Sequence, residues 1–298
     1  MKLVTFQIAT DHRIGLLHSD GASVIDLAVA DPTLPADMTA LVTLGSEGLQ
    51  RVAAAADKAG DDAIRRLSDV TILAPFPNPR RNIMCVGKNY HEHAQEFHSS
   101  GFDSTAGVTA VPEHPIIFTK SVTTVTGPDA PIPASADPTN SVDYEGELAV
   151  IIGSGGKGIK KADAYGHVYG YTVINDVTSR ELQSQHKQWF IGKNLDGFCP
   201  MGPCLVTADE VGDITESRMT TTVNGEIRQD VSVADLIFDI PTLIETLSAA
   251  MTLLPGDIIA TGTPAGVGIG FKPPRYLKPG DQVTIRIEKV GELRNAVV

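Results

Sequence analysis

The chain has 298 residues, 42% of them hydrophobic and 20% charged, with a formal net charge of −12. That length supports one large domain or a large one with a small one, and that charge argues against a nucleic-acid or anionic-membrane partner. Cys85, Cys199 and Cys204 lack a paired ligand spacing, Met1–Phe6 does not start a signal peptide, and no run approaches the roughly 20 apolar residues of a membrane helix, so a cytoplasmic protein with reduced thiols is expected.

Residues 1–72 read as a small N-terminal α+β domain. Strand-like runs at Leu3–Ala9, Ile14–Leu17 and Val24–Leu27 are followed by helical patterns at Met38–Leu44 and Glu47–Leu67, the second with a possible break at Gly60. Pro75, Pro77 and Pro79 then exclude both helix and central strand, which makes 73–82 a linker. From 83 to 298 short strands predominate: Ile83–Val86, Ile116–Phe118, Leu148–Ile152, Val168–Ile174, Cys204–Thr207, Thr220–Val223, Ile258–Thr261 and Val283–Glu288. Helical stretches are expected only near Tyr90–Phe97, Arg180–Gln188 and Pro241–Ala250. The fold class is therefore α+β and β-rich, a mixed β-roll or barrel rather than a doubly wound sheet. Gly153-Ser154-Gly155-Gly156-Lys157-Gly158 matches G-x-G-x-x-G, but the stretch to His167 is too short for a crossover helix, so a turn between strands is expected.

Chemistry concentrates in two places. Glu145 and Glu147 flank Gly146 at the mouth of an apolar run, and a period of two turns them to the same side. Two adjacent carboxylates must share a proton or a cation. Asp176, at the end of the next apolar run, reads alone as a helix cap; joined to the two glutamates it completes an oxygen-only cage for Mg²⁺, Mn²⁺ or Ca²⁺. In the second cluster, His93 and Glu96 stand three apart on a short helix, where a carboxylate can orient an imidazole as a general base. A three-histidine zinc site is disfavoured, because His91 and His93 diverge on a helix. Gly87 before this segment and Gly101 after it suggest a hinged lid over 88–105. Lys120, Arg180 and Lys193 each end an apolar stretch, where a cation can face a pocket, and Thr263 lies in a glycine-dense loop able to approach a ligand.

In order, Val86-Gly87-Lys88-Asn89-Tyr90 with His93, Phe118-Thr119-Lys120, Asp143-Tyr144-Glu145-Gly146-Glu147-Leu148-Ala149, Asn175-Asp176-Val177-Thr178-Ser179-Arg180, Gly192-Lys193, Val223-Asn224-Gly225-Glu226 and Thr261-Gly262-Thr263-Pro264-Ala265-Gly266 resemble the fumarylacetoacetate hydrolase family over residues 83–298. The resemblance implies a β-roll, a homodimer, a divalent metal on Glu145, Glu147 and Asp176, and a His93–Glu96 dyad on a mobile lid. It also places Lys193 at the oxyanion and Lys120, Arg180, Gln183, Thr263, Lys88 and Tyr90 at the substrate. Lys88 stands where acylpyruvase-type members carry arginine, and Ser121 where proline is common, which bears on the substrate rather than the chemistry.

The activity so implied is metal-dependent hydrolysis of a C–C bond in a small anionic β-diketo acid, of acylpyruvate or fumarylpyruvate type. The alternatives on the same site are decarboxylation of a 2-oxo acid, isomerisation of a hydroxy-diene diacid in aromatic catabolism, and a ureidoglycolate-type lyase.

Overall fold

The structure is a computed structural model that describes residues 1–103 and 109–298. The strand Gly146–Ile152 is buried along its whole length. Leu148, Val150 and Ile152 enter one apolar cluster, Ala149 and Ile151 the other. This period-two split means that the sheet is covered on both faces, which is why the run is apolar throughout.

Around this strand the main sheet forms an open path. Its order is Ile64–Arg66, Ser23–Asp26, Asp11–Leu17, Lys2–Ile8, Cys199–Thr207, Val168–Asn175, Gly146–Ile152, Ile258–Ala260, Ile83–Gly87 and Ile116–Lys120. Among the described residues no closed barrel forms. The N-terminal strands continue the same sheet, through Lys2↔Val206 and Leu3↔Leu205. A second, four-stranded antiparallel sheet, Glu226–Ser232, Arg218–Val223, Gln282–Ile287 and Gly291–Ala296, sends Val283, Ile285 and Leu293 into the cluster that holds Leu148.

Two expectations need correction. The helix expected over Glu47–Leu67 ends at Asp57, and Ile64–Arg66 is a strand paired with Ser23–Ile25. The helix closes on Lys58, Gly60 then leads into a 3₁₀ turn at Asp61–Ala63, and the β-branched Ile64 follows the sheet edge rather than the alanine-rich periodicity. The helix expected over Arg180–Gln188 stops at Gln185.

The glycine-rich loop behaves as a turn. The chain leaves Ile152, passes a 3₁₀ segment at Lys161–His167, and returns antiparallel as Val168–Asn175. A dinucleotide fold would need a parallel crossover there. Of the proposed lid, 88–103 falls within the described residues; 104 and 105 lie outside them.

Candidate metal and acid–base site

Register brings the three acids together. In the antiparallel pair, Gly146 faces Asn175 and Glu147 faces Ile174, and the Asp176 N–H donates to the Glu145 carbonyl at 2.9 Å. Glu145, Glu147 and Asp176 are all buried, and each offers an oxygen within 4.8 Å of the others. Gly146 is required between them: a Cβ there would stand 2.3 Å from Thr221 Oγ1.

The cations around the triad are equally buried. Lys193 Nζ lies 2.8 Å from both Glu145 Oε2 and Asp176 Oδ2. Arg180 reaches Glu145 Oε1 at 2.6 Å through Nη1 and Asp143 Oδ2 at 2.8 Å through Nε. Lys120 Nζ lies 2.7 Å from Asp176 Oδ1 and donates to the carbonyls of Val177 and Lys193. Four buried acids, counting Asp143, thus face three buried cations. Glu147 is the one left over, and its Oε2 accepts only the Gly262 N–H, at 2.9 Å, among the described residues.

Proton affinities follow this arrangement. Burial, then Asp176 and Glu145, push the Glu147 carboxyl well above the usual range. Burial works against Glu145 as well, but Lys193, Arg180 and His93 outweigh it and hold that carboxyl at about 2. Burial would lower Lys193, yet Asp176 and Glu145 raise it, so it remains an ammonium. An oxygen-only donor set with one buried carboxyl lacking a cation suits a hard divalent ion. Bound there, such an ion would leave the cluster net positive and ready for an anion.

The short helix His91–Ser99 supplies the imidazole. His93 is 4% exposed, its Nδ1 lies 3.1 Å from Glu96 Oε2, and Glu96 Oε1 accepts the Gly266 N–H at 3.0 Å. This fixes the carboxylate, which in turn fixes the ring and leaves Nε2 for a substrate.

One small cavity, of about 20 Å³, is lined by His93, Glu145, Arg180, Gln183, Lys193, Thr263 and Lys88. That is room for about one water. Phe97, Phe118 and Trp189 close its apolar side, with Trp189 edge-on to both phenyl rings at 5.7 and 5.3 Å. Arg180 Nη2 is buried without a hydrogen-bond partner among the described residues.

The remaining expected residues fall into different places. Gln183 accepts from Arg180 Nη1 at 3.3 Å, and Thr263 Oγ1 accepts from Gln229 Nε2 at 2.7 Å. Lys88 is ion-paired to Asp103 at 2.8 Å. Lys120 stands behind Asp176 and does not line the cavity. Tyr90 lines a separate groove of about 520 Å³, with His91 and Asp235.

Four contributors escaped the sequence reading. Asp143 accepts from Gly268 N and Ile269 N at 2.7 and 3.0 Å while orienting Arg180. Asn175 Oδ1 accepts the Glu145 N–H at 3.0 Å. Gln229 ties Gly146 N to Thr263, and Trp189 packs so closely that a Cβ on Gly87 would meet its ring at 2.3 Å. Of these, Asp143 and Asn175 carried a signal, since each lies inside a block that also holds acids of the triad.

Residues 82–298 match the family described as "Fumarylacetoacetate (FAA) hydrolase C-terminal". The chain is 44% identical over 309 residues to oxaloacetate tautomerase YisK of Bacillus subtilis, covering 100% of each chain. Its structure is similar to a fumarylacetoacetate hydrolase from Exiguobacterium antarcticum, at a TM-score of 0.82 and 40% identity, covering 100% of this chain and 99% of that one. It is also similar to maleylpyruvate hydrolase from Sphingobium sp. SYK-6 in complex with manganese(II) and pyruvate, at a TM-score of 0.79 and 32% identity, again covering 100% and 99%. The chain belongs to the fumarylacetoacetate hydrolase family, a family of enzymes acting on small acids.

Proposed function

We propose that the chain is a divalent-metal-dependent enzyme of small 2-oxo acids whose reaction is proton transfer on oxaloacetate, interconverting its keto and enol forms. The observation that carries this reading is that His93, oriented by Glu96, shares one buried cavity with Glu145, Arg180 and Lys193. Similarity over the full length to an oxaloacetate tautomerase supports the same choice.

A divalent ion held by Glu145, Glu147 and Asp176 would act as a Lewis acid on the 2-oxo group and so acidify the adjacent C–H. His93 Nε2 takes that proton, and Glu96 stabilises the imidazolium that results. Returning that proton from His93 to carbon restores the keto form, and delivering it instead to the 2-oxygen gives the enol. Lys193 places positive charge where the enol oxygen develops, and such a donor in a closed site contributes on the order of a few kcal/mol. Arg180 Nη2, buried and unpaired among the described residues, offers a donor to a substrate carboxylate. Lys88, Gln183 and Thr263 orient the substrate, while Phe97, Phe118 and Trp189 exclude water.

The second reading is hydrolysis of an acylpyruvate or fumarylpyruvate, with His93 drawing the proton from a water that attacks the distal carbonyl. The carboxylate-oriented imidazole favours it, and so does the likeness to a maleylpyruvate hydrolase. Decay of the ultraviolet enol band, followed with Mn²⁺ or chelator and with product masses, separates the two. Tautomerisation conserves the mass of oxaloacetate; hydrolysis releases pyruvate from an acylpyruvate. His93→Ala should slow either reaction about 10²–10⁴-fold, and full activity in that variant or under chelator would refute the site.

A further inference from the structure

The hairpin Arg218–Val223/Glu226–Ser232 and the segment 274–281 enclose a second cavity of about 260 Å³, lined by Arg228, Arg275 and Lys278. Three cations around one hollow stand out in a chain of net charge −12. The Arg228 side chain is only 7% exposed, yet its Nε and Nη1 have no hydrogen-bond partner among the described residues. Donors buried on a guanidinium and left unused are costly, so they point to an absent acceptor.

The acids nearby are already engaged. Glu226 is held by both Nη atoms of Arg275 at 2.8 Å, and Arg228 Nη2 reaches it only at 3.3 Å. Asp281 accepts from Asn224 Nδ2 and from the Lys278 N–H at 2.8 Å each. Both arginines lie over the Phe271 ring, at 5.0 and 5.1 Å, which fixes their planes. A rigid guanidinium with two free donors and an ammonium beside it matches a small oxyanion.

This cavity lies on the reverse of the loop that builds the first site. Gly266 packs on the Arg228 carbonyl so tightly that a Cβ would approach it to 1.8 Å, and the Arg275 N–H donates to the Gly268 carbonyl at 2.9 Å. On its other side the same loop donates Gly266 N–H to Glu96 and Gly268 N–H to Asp143, the carboxylate that orients Arg180. The geometry points to a second, regulatory site at Arg228 that binds a small carboxylate or phosphate anion and, through the loop 262–270, adjusts the His93–Glu96 dyad.

Calorimetric titration of the full chain with inorganic phosphate and, separately, with succinate distinguishes the two anion sources. The expected result is saturable binding of at least one, weakened about tenfold in Arg228→Gln and in Lys278→Gln, roughly the loss of one charge-assisted contact. Lys278 is exposed, so its variant keeps the fold if Arg228→Gln does not. Coupling is read from emission of the single tryptophan, Trp189, which packs on Phe97 of the dyad's helix. It should change on anion binding in the parent, and in the variants only at about tenfold higher anion concentration. No saturable binding, binding retained in both variants because the anion sits among Arg180, Lys193 and Lys88, or binding with unchanged Trp189 emission would overturn the proposal.

Discussion

Replacing Glu147 by Gln should have opposite effects with and without a divalent ion. Glu147 is 1% exposed and lacks the cation that Glu145 and Asp176 each have. Without metal it must either stay charged with no cation of its own or take up a proton, and a buried group so placed costs about 1–3 kcal/mol. The neutral amide keeps the shape and can still accept from Gly262 N–H, so the metal-free variant should be more stable than the metal-free parent by about that amount. The sign of the pH dependence agrees. Burial first, then Asp176 and Glu145, raise the Glu147 carboxyl. The metal-free parent therefore has full stability below the usual carboxylate range and loses it as pH rises through the folded-state value. The variant should lack that slope. With Mn²⁺ at a hundred times its dissociation constant the parent gains about 2.7 kcal/mol, and the variant should gain almost nothing. Urea denaturation with chelator and with Mn²⁺, from pH 5 to 8, measures all three. A metal-free variant less stable than the parent, or one stabilised as much by Mn²⁺, would refute the reasoning.

Two other outcomes follow from packing and burial. Gly146→Ala should lose about 1–3 kcal/mol of stability by overpacking, since its Cβ would meet Thr221 Oγ1 at 2.3 Å and Gln229 Oε1 at 3.1 Å; an unchanged thermal midpoint would contradict the close approach of the two sheets. Burial is the first cause that raises the three thiols, Cys204 to about 11, Cys199 to about 12 and Cys85 also well up. They should resist alkylation at pH 8 in the folded protein and react at once in denaturant; rapid labelling of the native chain would contradict it.

The sequence carried the site's acids further than it carried their surroundings. Period-two alternation pairs Glu145 with Glu147, and an apolar run ending in Asp176 is visible without coordinates. What decides whether the three meet is the register of Gly146 with Asn175, a long-range fact that local spacing does not contain. The same limit applies to the cations. Lys120, Lys193 and Arg180 all follow apolar runs, but only the fold turns Lys120 behind Asp176 while Lys193 and Arg180 line the cavity. Tyr90 immediately precedes the helix start at His91 and is expected at the substrate, yet its extended backbone places it on the groove with Asp235. The N-terminal strands were legible as strands. Their continuation of the main sheet depends on pairing Lys2 with Val206, some two hundred residues away, which no composition shift announces.

The most direct test of the central claim is the stoichiometry of Mn²⁺ in metal-stripped protein, read by electron paramagnetic resonance of the free ion. One tight ion per chain is predicted, lost in Glu145→Gln, Glu147→Gln and Asp176→Asn but retained in His93→Ala. Undiminished tight binding after Asp176→Asn would contradict the claim that these carboxylates close around a single ion.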